Sequence, residues 1–536
     1  MISGHGGQLA LAALKAAGAK EMFTLSGGHV FPLYDAAHQE GFPLYDVRHE
    51  QTAVFAAEAV AKLQRRPGVA VLTAGPGVTN GISGITSAFF NAAPVLVLGG
   101  RAPQFRWGAG SLQEIDHIPL VSSITKHAAT VPSTESIPSA VTEALSASLS
   151  GHRGPSFLDF PLDVMFGFAE ATVEAPKIGT WQADDDDIKK AAELIAKALR
   201  PVIIAGSDVY GGNAVEALRE AAEALTVPVY ANGMGRGVLP PDHPLAFSKS
   251  RRAAVSDADV VVVVGTPLDF RLGFGDFGAA KVVHIVEEPR QRAGHVETAV
   301  SPAGDLTLTL SGLAGYAGDR VDHGDWVATL RAAEKTAAAK HAAEMAADGD
   351  PIKPARVYGE LRKVLAPDAV TIGDGGDFVS YAGRYLEPAQ PGTWLDPGPY
   401  GCLGTGLGYA MGARVTYPDR QVCLLMGDGA AGFSLMDVES LVRQNLPAVI
   451  VVGNNGIWGL EKHPMQAMYG YDVVADLQPG LRYDDVVRAL GGGGETVTKS
   501  DQLAGAFERA FEARVPYLVN VLTDPADAYP RSANLA

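Results

Sequence analysis

Asp428 and Asn455 are the residues whose types and places first suggest chemistry. QVCLLMGDG reads as a buried strand ending in Gly427, Asp428 and Gly429. FSLMDVESLVRQN then repeats apolar residues at helical spacing, and AVIVVGNN reads as a second strand. This strand-helix-strand unit puts Asp428 and Asn455 at the carboxyl ends of two parallel strands, where open α/β sheets bind ligands. A hard divalent cation such as Mg²⁺ takes oxygen ligands and shares them with phosphate, so a carboxylate, an amide oxygen and a nearby backbone carbonyl would suit it. Gly429 and Ala430 let the backbone approach a phosphate at the start of the following helix.

The chain that must position this unit has 536 residues, 47% of them hydrophobic, which is enough for two to four domains. Strand-like Val, Ile and Leu runs alternate with Ala-rich helical stretches, the pattern of parallel sheets covered by helices. Three blocks separate, over 1–170, 186–325 and 351–536, and the expected fold class is α/β with three doubly wound parallel-sheet domains. The middle block holds four strand candidates, PVIIAGSDVY, VPVYANGMGRG, ADVVVVVGTPLDF and KVVHIVEEP. The acid run Asp184 to Asp187 reads as a solvated helix start, and WVATLRAAEKTAAAKHAAEMAA as a connecting helix. Acids outnumber Lys plus Arg by 60 to 43, a net charge of −17, which disfavours nucleic acid as a partner. Cys402 and Cys423 supply neither a disulfide framework nor a zinc quartet. With no long apolar run and no basic, apolar leader, a cytoplasmic protein without a membrane span is expected.

Gly427-Asp428-Gly429 followed by Asn454-Asn455 resembles the Gly-Asp-Gly to Asn-Asn signature of thiamine diphosphate enzymes. The resemblance implies Asp428 and Asn455 as side-chain ligands of Mg²⁺, with the carbonyl of Ile457 as a third. Gly427, Gly429, Ala430, Asn454, Asp377 and Phe378 would lie around the cofactor. YDVRHEQTAVFAAEAVAK is similar to the segment in which the family's activating glutamate ends a strand, and that glutamate falls on Glu50. A carboxyl group there bonds the cofactor's aminopyrimidine, which then removes the proton from thiazolium C2. VAVLTAGPGVTNGISGITSAFFNAAPVLVLGG and GPYGCLGTGLGYAMGAR are also family-like. In the latter, the carbonyl of Gly401 would receive the aminopyrimidine and Leu403 would lie beneath the two rings. The implied order is pyrimidine-binding, central and diphosphate-binding domains. The glutamate and the diphosphate site come from different subunits in that family, so a homodimer or homotetramer is implied.

The reaction is harder to read. NNGIWGLEKHP aligns with the acetolactate synthases without a gap, yet Glu461 stands where they have an aliphatic residue and Pro464 where they have Trp. Simple decarboxylases carry a glutamate at the place of Glu461 but need a His pair where this chain has Gln113 and Glu114. AAGFSLMDVESLVRQNLP and SKSRRAAVSDADVVVVVGTPLDFRLGFG resemble 2-hydroxyacyl-CoA lyases and oxalyl-CoA decarboxylases, whose central domain holds an ADP group. Arg251 and Arg252 would pair with phosphates of ADP, CoA or FAD there. His29 in TLSGGHVF is similar to a histidine near C2 in benzaldehyde lyase. The expected function is therefore a lyase that cleaves a 2-hydroxyacyl-CoA, reversibly, to an aldehyde or ketone plus formyl-CoA. Glu50, Glu461, Gln113 and His29 are its candidate catalytic residues, with Glu461 taking the hydroxyl proton. The alternatives are an acetolactate synthase-like carboligase acting on 2-oxo acids, and a non-catalytic cofactor-binding subunit.

Overall fold

The structure is a computed structural model that describes residues 1–318 and 320–529. The first unit contains β1 (Ile2–His5), β2 (Met22–Thr24), β3 (Leu44–Asp46), β4 (Gly68–Leu72), β5 (Val95–Arg101), β6 (His127–Thr130), β7 (Ser156–Pro161) and β8 (Phe168–Ala171). Six of these strands form a sheet in the order β3-β2-β4-β5-β7-β6, while β1 and β8 pair antiparallel as a ribbon. The central unit contains β9 (Pro201–Ala205), β10 (Val229–Ala231), β11 (Val260–Val264) and β12 (Lys281–Ile285), ordered β10-β9-β11-β12. The third contains β13 (Val370–Asp374), β14 (Trp394–Leu395), β15 (Val422–Gly427), β16 (Val449–Asn454), β17 (Gly493–Val497) and β18 (Tyr517–Leu522), ordered β14-β13-β15-β16-β18-β17.

All three sheets are parallel, with helices packed on their faces, and this is the α/β architecture the sequence pattern implies. The first and third sheets share one strand order, and the central sheet repeats its first four strands. Each sheet therefore has a switch point where the winding reverses, between β2 and β4, β9 and β11, and β13 and β15. The four strand candidates of the middle block are all strands, and the connecting helix is Gly324–Ala346. Asp184 caps the helix Asp185–Lys197 by accepting the Asp186 N–H at 2.9 Å, so the acid run does begin a helix.

One expectation is corrected. FSLMDVESLVRQN is not a single helix but the helix Asp428–Ser434, a 3₁₀ turn Leu435–Asp437 and the helix Val438–Arg443. The break turns Asp437 toward the first unit, where its carboxylate accepts the Arg48 N–H at 2.6 Å and the Thr52 hydroxyl at 2.7 Å. These bonds clamp the helix Glu50–Gln64 against the third unit. That helix lies along Thr405–Thr416, and Gly408 permits the close approach. A Cβ there would sit 2.6 Å from Phe55 Cβ and 2.8 Å from the Thr52 carbonyl. Between the same helices, the Tyr409 hydroxyl donates to buried Glu58 at 2.8 Å, and the Asn91 amide donates to it as well. Gly408→Ala is expected to destabilise the protein by about 1–3 kcal/mol through overpacking. A lowered apparent melting temperature is the check, and an unchanged one would show that the two helices can part freely.

Candidate cofactor and active site

Asp428 follows β15 and is buried, 4% exposed. Its Oδ2 accepts the Gly456 N–H at 2.7 Å and its Oδ1 the Gly429 N–H at 2.9 Å, so the carboxylate ties the end of β15 to the loop after β16. Burial pushes its carboxyl up to about 6, against the pull of these N–H donors. Asn455 begins the loop, and its Oδ1 accepts the Ile457 N–H at 3.2 Å. Ile457 bridges to Asp476, which holds the loop as a short antiparallel contact. Gly429 lies under the Trp458 ring, only 2.4 Å from where a Cβ would stand. Asn454 has a structural task, since its amide donates to the Leu481 carbonyl at 2.9 Å and to Asn520 at 3.1 Å.

Across the switch point, β13 ends in Asp374, a buried carboxylate that sequence reasoning missed. It accepts the N–H groups of Gly404 at 3.1 Å and Gly406 at 2.8 Å, and burial pushes its carboxyl up to about 7. Asp374 thus fixes the turn carrying Gly401 and Leu403, both of which lie just before the helix Thr405–Thr416. Gly401 has φ +69° and open space beside it, and Leu403 is half-buried. Asp377 begins the next helix, and its Oδ1 accepts the Tyr529 N–H at 3.0 Å. Phe378 follows it, and its ring packs in the core on Tyr358 and against Gly453.

The backbone at Glu50 differs from expectation, since β3 stops at Asp46 and Glu50 is the first residue of the helix Glu50–Gln64, capped by His49. It is 7% exposed, and Oε2 accepts from the Asn80 amide at 3.0 Å. Asn80 lies on the helix Pro76–Phe90. His29 is buried beside the same turn, its Nδ1 3.2 Å from the Thr73 hydroxyl. Burial holds its imidazole below the usual range, against a bond to the Leu112 backbone. Gln113 has φ +61° and packs its backbone on Gly75. His29, Gln113 and Glu50 are therefore joined through one turn, 73–80, of the first unit. Glu461 lies apart from them in the third unit, on the first turn of the helix Gly459–Tyr469, beside Leu460, whose side chain packs on Gly376. Lys462 is engaged by Asp472 at 2.8 Å and Asp476 at 2.7 Å.

Three family models match in order: the N-terminal thiamine pyrophosphate-binding domain over residues 4–120, the central domain of thiamine pyrophosphate enzymes over 188–313, and the C-terminal binding domain over 374–521. The chain is 51% identical to acetolactate synthase large subunit IlvG of Mycobacterium tuberculosis, over 99% of this chain and 98% of that protein. The chain belongs to the thiamine diphosphate enzyme family. It is also 35% identical to 2-hydroxyacyl-CoA lyase 2 of Caenorhabditis elegans, over 93% of this chain and 85% of that protein. A 2-hydroxyacyl-CoA lyase of rice is 32% identical, over 97% and 95%.

The third unit fits the cofactor of a thiamine diphosphate enzyme. Among the described residues no group of three His, Cys, Asp or Glu side chains could hold a metal, so a cation at Asp428 would take amide, carbonyl and phosphate oxygens. A buried carboxylate faced by backbone N–H groups suits such a counter-charge, and a Cβ at Gly401, Gly427 or Gly432 would meet only open space. Asn454 Oδ1 and Ser434 Oγ are buried without a hydrogen-bond partner.

The central unit is different. At the carboxyl ends of β9, β11 and β12 the crevice is only about 140 Å³, lined by His152, Asp208, Thr266, Arg271 and Gln291 among others. His152 faces Asp208 at 3.4 Å, and Arg153 bonds Glu287 at 3.1 Å beside it. The acids and bases of this cluster largely neutralise one another. Arg251 and Arg252 lie elsewhere, in a cavity of about 790 Å³ that also holds Arg236, Arg331, Lys340 and Arg384. Among the described residues no helix is long and apolar enough to cross a membrane.

Proposed function

We propose that the protein is a thiamine diphosphate-dependent carboligase that joins 2-oxo acids, as an acetolactate synthase does. The observation that carries this reading is the end-to-end 51% identity with acetolactate synthase large subunit IlvG, against 35% or less with the two lyases. In this reading residues 1–170, 186–325 and 351–536 are the pyrimidine-binding, central and diphosphate-binding domains. Asp428, Asn455 and the Ile457 carbonyl hold Mg²⁺ and, through it, the diphosphate. Glu50 bonds the aminopyrimidine, while Gln113 and His29 border the substrate. When bound, thiamine diphosphate supplies the carbon nucleophile. The chain's residues hold it, orient the second substrate and exclude water. The working unit is a homodimer or homotetramer, as the family resemblance implies.

The second reading, a 2-hydroxyacyl-CoA lyase, is favoured by one observation. Arg236, Arg251, Arg252, Arg331, Lys340 and Arg384 outnumber Glu334 and Glu387 around one large cavity in a chain of net charge −17, a setting suited to the phosphates of a CoA thioester. Loaded protein given pyruvate and, separately, a 2-hydroxyacyl-CoA is expected to yield acetolactate and CO₂ from the first. Formyl-CoA from the second, with nothing from pyruvate, would replace the carboligase by the lyase.

Glu461 separates the two readings at one position. A carboxylate near a 2-oxo acid repels its anionic head by an amount typical of one exposed pair, about 0.5–1 kcal/mol. Glu461→Gln is therefore expected to lower KM for pyruvate roughly two- to fivefold, with a smaller effect at high salt. In the lyase, the same change removes the group that takes the hydroxyl proton and abolishes cleavage.

A further inference from the structure

His117 is fully buried, yet both of its ring nitrogens are engaged. Nε2 lies 3.0 Å from the backbone nitrogen of Gly75, which can only donate, so Nε2 must be the acceptor. The ring proton then sits on Nδ1 and goes to Asp159 Oδ1, also at 3.0 Å. The other oxygen of Asp159, itself fully buried on β7, takes the Arg101 guanidinium at 2.6 Å. Arg101 ends β5, reaches Asp116 at 3.1 Å and lies over the Trp107 ring at 3.8 Å. The network therefore runs from two neighbouring strands, through one imidazole, to a single backbone N–H.

That N–H belongs to a residue on which the candidate catalytic side of the first unit converges. Gly75 has φ +62°, a conformation that disfavours side chains, and it caps the helix Pro76–Phe90 that carries Asn80 to Glu50. The Gln113 backbone lies against it, with Cβ 2.8 Å from where a Gly75 Cβ would stand. Two residues earlier Thr73 meets His29, and His29 Cβ in turn packs on Gly100, next to Arg101. A hydrophobic residue in place of His117 would fill the space but leave the Gly75 N–H buried without a partner.

We infer that His117, held in one tautomer by Asp159 and the Gly75 N–H, is a positioning residue. It fixes Gly75, and through Gly75 both the Gln113 turn and the Asn80–Glu50 contact. The inference rests on the proposed function in placing Glu50, Gln113 and His29 at the cofactor. A residue that acts by holding such groups in place typically costs about 10–100-fold when it is removed.

The test compares His117→Leu with His117→Gln, which keeps an acceptor. The Leu variant is expected to lower kcat on pyruvate by about 10–100-fold, with KM and thiamine diphosphate affinity within about twofold of wild type. The Gln variant is expected to recover most of kcat. Hydrogen–deuterium exchange, which needs no substrate, is expected to show faster exchange over 73–80 and 110–116 in the Leu variant alone. Wild-type kcat in the Leu variant, or a Gln variant as slow as Leu, would overturn the inference. If no variant, nor the wild type, turns over pyruvate while exchange changes as expected, the carboligase reading fails and the network stands. Should His117→Leu not fold, Asp159→Asn carries the same expectations, because the ring is then free to take the other tautomer and present a donor to Gly75.

Discussion

Glu50→Gln is expected to bind thiamine diphosphate as the wild type does and to lose turnover by about 10²- to 10⁴-fold, the span of a general acid–base contribution. The argument begins with local structure. Glu50 is the first residue of a 15-residue helix, where the helix dipole favours a carboxylate, and the cap comes from His49 rather than from Glu50 itself. Its carboxylate is thus available for another partner. It is nearly buried, and one oxygen is fixed by Asn80, so the other has a defined direction. Glutamine keeps the shape, the burial and an oxygen for Asn80, but it has no proton to share with a ring nitrogen. The diphosphate side lies on the third unit, at Asp428 and Asn455, and is not altered by the change. Titration of cofactor by tryptophan quenching, followed by steady-state assay with pyruvate, separates the two effects. Turnover at the wild-type rate would remove Glu50 from its role, and weakened binding would show that the side chain acts as a structural anchor.

The sequence reveals most about groups whose partners are close in the chain. Asp428 and Asn455 are legible because a strand, a helix and a strand join them, and a parallel unit of that kind has one handedness. The four central strands are legible because residues buried on both faces leave nearly continuous apolar runs such as Val260–Val264. Asp374 is invisible for the opposite reason. It sits in an ordinary DGGD turn, and its partners Gly404 and Gly406 are about thirty residues away. His117 and Asp159 are hidden in the same way, since they lie 42 residues apart and no local pattern records their contact. Helical periodicity also misread 433–445. It counts apolar positions, and the kink there serves a polar contact between Asp437 and another unit. The family pattern gives Glu50 a sequence position rather than a backbone state, so it does not distinguish a strand end from a helix start. The helix start was nonetheless readable, as HEQTAVFAAEAVAK pairs a capping residue with an acid in the first turn.

Asp428→Ala should leave the protein folded but unable to retain thiamine diphosphate at micromolar concentration, an affinity loss of roughly two orders of magnitude or more. Two opposing terms decide the stability side. Removing the carboxylate leaves the Gly429 and Gly456 N–H groups without their acceptor, each at a cost of about 1–3 kcal/mol if no water replaces it. It also removes a carboxyl that burial already pushes up to about 6, so a strained charge disappears with the bonds. The Tyr483 hydroxyl still donates to the residue 428 carbonyl at 3.0 Å, which holds the backbone after β15 in place. The net change is therefore small beside the interlocked sheets, whereas the binding side has no compensation. Among the described residues no group of three His, Cys, Asp or Glu side chains could hold a metal, so a hard cation deprived of the Asp428 oxygen keeps an amide and a carbonyl as its protein ligands there. Removing the metal from the wild type with a chelator should then produce the same loss as the substitution, and adding a chelator to Asp428→Ala should change nothing further. Calorimetric titration with thiamine diphosphate and Mg²⁺ measures all three cases. Unchanged affinity in Asp428→Ala would take the metal away from this strand end, while a chelator effect that persists in the variant would place it on ligands other than Asp428.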